Sequence, residues 1–270
     1  MTEISKAFSN LKSKNEGALI AYLTVGDPHP KKTPRLAEAL IEGGADILEL
    51  GIPFSDPIAD GSTIQNAVSR SLASGSRPVD ALDVAQEIND KYDVPIVAMS
   101  YFNPIFRFGL AKFITQAKKC GISGLIIPDL PVEESQEYRK ECVVNGMDTI
   151  FLASPSTDAT RLKQILAQTS GYLYLISLYG VTGIRTQIAE SATSLIKKYH
   201  GIVRGTVPLA VGFGISKPEH VRQVIKAGAD GAIIGSAFVK IVEDNRGSII
   251  RAGRKLRNLA RAMKKGTITA

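Results

Sequence analysis

Residues 48–65 read LELGIPFSDPIADGSTIQ. Ile47, Leu48, Leu50 and Ile52 are apolar, and Gly51 and Pro53 end the run, so the stretch opens as a β-strand. A loop follows with Asp56 and Asp60, punctuated by Pro57 and Gly61. Side chains alternate along a strand. Glu49 therefore shares a face with Ile47 and Gly51, while Leu48, Leu50 and Ile52 take the other. If both faces are covered, Glu49 points into an interior. A buried carboxylate loses its hydration, so it takes up a proton or finds a cation. The first outcome suits acid–base catalysis; the second is a structural ion pair.

Working outward, the same kind of apolar run recurs along the chain. Strands are expected at 17–26, 94–101, 124–129, 148–155, 171–180, 207–214 and 231–238, besides the one carrying Glu49. Between them lie helical patterns: one with Leu36, Leu40 and Ile41, then 79–92, 110–120, 133–145, 159–168, 190–199 and 217–227. A short amphipathic helix with Ile4, Phe8 and Leu11 precedes the first strand. Near-continuous apolar strands are the mark of parallel strands covered on both faces. Eight strand–helix units in 270 residues predict an α/β fold, a single (β/α)8 barrel over 1–270 with an extra N-terminal helix. An open doubly wound sheet is the competing architecture, but no GxGxxG follows the first strand. No linker or low-complexity segment divides the chain.

Composition narrows the function. No apolar run approaches the roughly 20 residues of a membrane span. The start, MTEISKAFSN, lacks the apolar core of a signal peptide. Cys120 and Cys142 are far apart and form no metal motif, and these features together suit a reduced, cytoplasmic enzyme. The net charge of +7 resides in one segment: Arg251 to Lys265 holds seven basic residues and no acid. The remainder balances at 26 basic and 26 acidic residues. Ile249, Ala252, Leu256, Leu259 and Met263 recur there at helical spacing, so a last helix with a solvated cationic face is expected rather than a nucleic-acid arm.

In a (β/α)8 barrel the active site lies at the C-terminal ends of the strands. Glu49 and Asp60 lie at and beyond the end of the second strand. Tyr101, Asn103, Asp129 and Thr182 fall near other strand ends, with Tyr174 inside the sixth strand. Glycine loops follow the last three strands: GVTG from Gly180, GFGIS from Gly212 and GSAF from Gly235. Glycine lets backbone N–H groups approach a phosphate closely, although turns also need it. The strand cores contain no lysine, which argues against a Schiff base and leaves Glu49 without an evident buried cation. His29, His200 and His220 are scattered; His29, between prolines, reads as a turn residue, and no metal cluster emerges. The pattern is that of a cofactor-free acid–base enzyme acting on a phosphorylated substrate.

LELGIPFSDPIADG, PDLPVEES (128–135), GVTG, GFGIS and GSA stand in an order that resembles the tryptophan synthase alpha-subunit family, over essentially the whole chain. The resemblance implies a (β/α)8 lyase that cleaves indole-3-glycerol phosphate to indole and glyceraldehyde 3-phosphate. It implies Glu49 as the group that protonates indole C3 and Asp60 as the carboxylate at the indole N–H. Phosphate would lie against Gly183, Gly214, Gly235 and Ser236. The indole would lie among Tyr22, Met99, Ile126, Leu152, Tyr174, Thr182 and Phe213. No cofactor is implied in this chain; pyridoxal phosphate belongs to a β-subunit partner, in an α2β2 assembly that receives the indole. Phe54 and Asp56, in the loop before Asp60, are the expected partner contacts; alternatively Phe54 and Ile58 fold back onto the barrel. Ser62 stands where the family commonly has proline, and Leu178-Tyr179 where many members have arginine and a small residue.

Four other readings fit parts of the pattern. A glycosidase uses two carboxylates but needs no phosphate loops. Another phosphate-binding barrel shares the fold but not the Glu49/Asp60 loop. A non-catalytic activating subunit need not keep both carboxylates. A nucleic-acid binder would have to use the basic tail.

Overall fold

A computed structural model of the chain describes residues 1–176, 190–212 and 214–268. Its strands are β1 (Ala18–Thr24), β2 (Ile47–Gly51), β3 (Ile96–Met99), β4 (Ile122–Ile126), β5 (Asp148–Ile150), β6 (Leu152–Ala153), β7 (Leu173–Ile176), β8 (Leu209–Gly212) and β9 (Gly231–Ile234). All paired neighbours run parallel, in the order β5-β4-β3-β2-β1-β9-β8-β7-β6. The two ends of that order, β5 and β6, are halves of one chain segment separated by Phe151 alone. The sheet therefore closes on itself as an eight-unit barrel, the architecture its apolar runs predict.

The alternation expected around Glu49 holds. Ile47 joins Ile20, Val97, Ile126, Ile150, Ala210 and Ile233 in a cluster inside the barrel. Leu48, Leu50 and Ile52 join the larger cluster between barrel and helices. Helix α1 (Glu3–Ser13) contributes Ile4, Phe8 and Leu11 to the inner cluster, with the Phe8 ring 5.9 Å from that of Tyr172. The extra helix is thus a plug on the lumen, since an unplugged barrel would leave these inner residues facing water.

The outer layer comprises α2 (Thr33–Glu42), α3 (Ser62–Ala73), α4 (Pro78–Asn89), α5 (Phe102–Phe108), α6 (Leu110–Lys119), α7 (Gln136–Val144), α8 (Ala159–Gln168), α9 (Glu190–Val203), α10 (Pro218–Lys226), α11 (Ser236–Asp244) and α12 (Ile249–Gly266). Three of these, α3, α5 and α11, are not anticipated from the sequence. The last strand ends at Ile234, not at 238, because Gly235 turns the chain into α11. The expected helix over 133–145 begins at Gln136, after a separate 3-10 turn at Val132–Glu134.

The basic C-terminal segment forms α12, which buries Ala252, Leu256, Ala260 and Met263. Its cations are not all free in solvent. Lys264 bonds both Asp46 and Glu16 at 2.9 Å, and Arg257 pairs with Glu42, so the helix is tied back to the barrel. Among the described residues, no helix is long and apolar enough to cross a membrane, and no group of three or more His, Cys, Asp or Glu could hold a metal ion.

Candidate active site

Strand β2 presents Glu49 in register with Tyr22 of β1 and Val97 of β3. Glu49 is 1% exposed, and neither carboxylate oxygen has a hydrogen-bond partner among the described residues. No ion pair with it occurs among the described residues. Burial raises its pKa from 4.5 to about 8, and the nearby Asp60 charge adds to the rise. Gly51, two residues on, shares the face of Glu49. A Cβ there would meet the Tyr22 hydroxyl at 2.1 Å, so its glycine is what admits the Tyr22 ring beside the carboxyl. The same device recurs across the barrel, where a Cβ on Gly212 would meet the Tyr174 ring at 2.8 Å.

Asp60 comes from the loop between β2 and α3. Tyr101, at the end of β3, donates its hydroxyl to Asp60 Oδ2 at 2.9 Å and accepts the Ala59 N–H at 2.9 Å. Gln65, in the first turn of α3, donates to the Asp60 carbonyl at 2.8 Å. Burial raises the Asp60 pKa from 3.8 to about 6, and the Tyr101 hydrogen bond opposes that rise. The two carboxyl groups therefore titrate on opposite sides of neutrality.

Both face a cavity of about 610 Å³ at the C-terminal mouth of the barrel. Of the sequence-predicted residues, Glu49, Asp60, Tyr22, Met99, Leu152, Tyr174, Gly214, Gly235 and Ser236 line it. Ile126 does not: it is fully buried in the inner cluster, although its β3 neighbour Met99 reaches the cavity. Thr182, Gly183 and Phe213 lie outside the described residues, as do Gly180, Leu178 and Tyr179. Wall residues that sequence reasoning missed include Ile64, Ile127, Pro128, Phe151, Ile233 and Arg161. Tyr101 stood out only as a polar group near a strand end; its bond to Asp60 depends on a loop folding back across 41 residues.

Gly235 precedes Ser236, the first residue of α11. The first N–H groups of a helix have no intrahelical acceptor and carry the positive end of the dipole. Gly214, at φ +67°, takes a backbone conformation that glycine permits. Both line the cavity beside Ser236, so the α11 end suits a phosphate.

The loop before Asp60 folds back onto the barrel at Phe54 and not at Ile58. Phe54 is half-buried, its ring 5.3 Å from that of Tyr101, whereas Ile58 is 82% exposed. Asp56 is exposed and accepts from Ser55 at 2.5 Å. Ser62 opens α3 at its first position, where proline is well tolerated. His29 caps the 3-10 turn at Pro30–Lys32 and takes no part in the cavity, and Asp129, though on its wall, accepts the Phe102 N–H at 2.9 Å.

A model of the family described as "Tryptophan synthase alpha chain" matches residues 8–268. The chain belongs to that family. The tryptophan synthase alpha chain of Methanosarcina mazei is 46% identical over 268 residues, which span 99% of this chain and 95% of the relative. That of Methanopyrus kandleri is 44% identical over 97% of this chain and 94% of its own. The crystal structure of tryptophan synthase subunit alpha from Legionella pneumophila superposes with a TM-score of 0.90 at 34% identity, covering 99% of this chain and 98% of that one. A Pyrococcus furiosus structure, titled for the mutual activation of the tryptophan synthase α2β2 complex, gives 0.85 at 42% identity over 92% and 98%. As a tryptophan synthase alpha chain, the protein is an enzyme subunit of the lyase type, and the resemblance carried by LELGIPFSDPIADG stands.

Proposed function

We propose that the chain cleaves indole-3-glycerol phosphate to indole and glyceraldehyde 3-phosphate, a carbon–carbon bond cleavage by acid–base catalysis. The observation that carries this reading is that two carboxyls face one cavity, Glu49 buried without a hydrogen-bond partner among the described residues and Asp60 half-buried under the Tyr101 hydroxyl, so that burial raises the pKa to about 8 at the first and about 6 at the second. At neutral pH the first holds a proton and the second a charge, a division of labour that environment alone imposes.

Protonated Glu49 delivers its proton to indole C3. The ring nitrogen of the resulting indolenine is cationic, and ionised Asp60 stabilises it and accepts the N–H. The carboxylate left on Glu49 takes the side-chain hydroxyl proton, the C3–side-chain bond breaks, and its electron pair returns to the ring. Glu49 ends as it began. Tyr22, Met99, Leu152 and Tyr174 supply apolar walls for the ring, and the α11 end, with Gly235, Ser236 and Gly214, supplies the phosphate seat. Thr182, Gly183 and Phe213 retain the roles that family resemblance implies. The chain needs no cofactor of its own; pyridoxal phosphate belongs to a β subunit. By likeness to the Pyrococcus furiosus complex, this chain pairs with a β subunit as α2β2. We place this biosynthetic lyase in the cytoplasm, as one domain.

The test is turnover of indole-3-glycerol phosphate by the pure chain, with and without a β subunit, read as indole released. Release that vanishes in a folded Glu49→Gln variant supports the reading. A wild type inactive under both conditions sinks it.

A further inference from the structure

Arg70 stands outside the cavity wall, yet it joins the two halves of the site. Its Nε and Nη2 donate to the two carboxylate oxygens of Asp27 at 2.9 and 2.8 Å, and its Nη1 donates to Glu243 at 2.9 Å. The Asp27 side chain is 2% exposed, Arg70 16% and Glu243 26%. Arg70 belongs to α3, whose N-terminus follows Asp60 by two residues. Glu243 belongs to α11, which begins at Ser236. The contact lies roughly two turns from the N-terminus of each helix. Asp27 belongs to the loop after β1, and α3 is stitched to that loop twice more. Ser71 Oγ donates to the Val25 carbonyl at 2.6 Å, and Ser74 Oγ to the Gly26 carbonyl at 3.2 Å. Between the helices and the cavity lies a small apolar cluster of Tyr22, Ile64, Ala67, Val68 and Val239.

We propose that Arg70 is a positioning residue for catalysis, which, by gripping Asp27 and Glu243 at once, sets the separation between Asp60 and the α11 phosphate seat. The inference rests on the reading of Asp60 and of that seat given above. A substrate that binds by its ring at one end and its phosphate at the other is sensitive to that separation. A small error in it moves the reacting carbon off the catalytic groups without weakening either end alone. Guanidinium suits the task because its planar fork can hold one carboxylate with two bonds and still offer a third donor to another; a lysine has no such fork.

The experiment uses Glu243→Ala and Arg70→Lys in the full chain, with indole-3-glycerol phosphate as substrate and glycerol 3-phosphate as a one-ended competitor. Glu243→Ala removes the link to α11, together with the exposed Lys240–Glu243 pair, and leaves buried Asp27 bound to Arg70, so folding is retained. Each variant is expected to lower kcat about tenfold, from misplacement of the reacting groups. The inhibition constant of glycerol 3-phosphate should stay within about twofold of the wild-type value. Placed in an Asp60→Asn chain, each substitution should lower the residual rate by less than in the wild type, because part of its effect is exerted on Asp60. A folded Glu243→Ala chain with wild-type kcat overturns the inference, as does an equal loss in the Asp60→Asn background or a parallel loss of glycerol 3-phosphate affinity. A wild type that does not cleave the substrate overturns the underlying reading of the site, and the role of Arg70 with it.

Discussion

The Tyr101 hydroxyl donates to the Asp60 carboxylate across 2.9 Å. That bond opposes the effect of burial, which by itself drives the Asp60 pKa upward. Replacing Tyr101 by Phe removes the donor and leaves the carboxylate less solvated, so its pKa should rise above about 6. In the wild type, kcat/KM should rise as Asp60 ionises near pH 6 and fall as Glu49 loses its proton near pH 8. Tyr101→Phe should move the acidic limb to higher pH and leave the basic limb in place. An unmoved acidic limb in a pH–rate profile would separate Tyr101 from Asp60.

Glu49 carries a stability consequence of opposite sign to that of a salt-bridged acid. Its folded pKa, about 8, lies above its ordinary 4.5. The fold therefore prefers the protonated form. The contribution is fully present below pH 4.5 and is lost as pH rises through 8. A Gln cannot ionise, so Glu49→Gln should be the more stable chain at pH 9, by on the order of a few kcal/mol, with the gap closing toward pH 5. Cleavage should fall by ~10²–10⁴-fold in the same variant, as for loss of a general acid–base group. Thermal melts of both chains from pH 5 to 9 check the first expectation, and parallel curves would refute it.

Which parts of this molecule were readable depends on how their signal is written. The eight strands were readable because burial on both faces requires unbroken apolar runs. Helix α3 was missed because its inward positions are Ile64, Ala67, Val68 and Ser71, and alanine and serine carry little hydropathy. Helix α11 begins SAFVKIV, a β-branched run that reads as more strand; only Gly235 marks the break. Glu49 was legible because a charge in an apolar strand is conspicuous. Ile126 shows the limit of alternation: it faces inward as expected, but alternation fixes the side of a strand and not the depth in the lumen. Tyr101 and Arg70 act through partners 41 and 43 residues away or farther, and no local pattern announces that.

The two glycines at the proposed phosphate seat should respond differently to alanine. At Gly235 the added methyl would find Tyr22 at 3.5 Å, an ordinary contact, and φ is −114°. Gly235→Ala should fold normally and weaken glycerol 3-phosphate binding, because the methyl narrows the approach to the α11 N–H groups. At Gly214, φ is +67°, so alanine there should also cost about 1 kcal/mol of stability. Inhibition by glycerol 3-phosphate, measured beside thermal melting, tells the two apart. Unchanged phosphate affinity in Gly235→Ala would move the seat elsewhere.

The loop before Asp60 links a surface to the proposed catalytic carboxylate. Ile58 is 82% exposed at its tip, and Phe106 on neighbouring α5 is 65% exposed. Ala59 hangs from the Tyr101 hydroxyl that also holds Asp60, and Phe54 packs on the Tyr101 ring. A β subunit pressing on this tip therefore bears on Tyr101 from two sides. Coupling then needs no long path, because a partner that prefers one state of the loop shifts its population. Asp56 is exposed; its side chain accepts from Ser55 and its carbonyl from the Ile58 N–H at 2.9 Å. It is the proposed partner contact of this loop, and it does not line the cavity. The ratio of turnover with a β subunit to turnover without one should fall about two- to fivefold in Asp56→Ala, the effect of a rim charge. Titrating each chain with a β subunit while following indole release gives the ratio directly. Equal activation of both chains would remove Asp56 from the interface, and absence of a complex at micromolar concentrations would remove the loop.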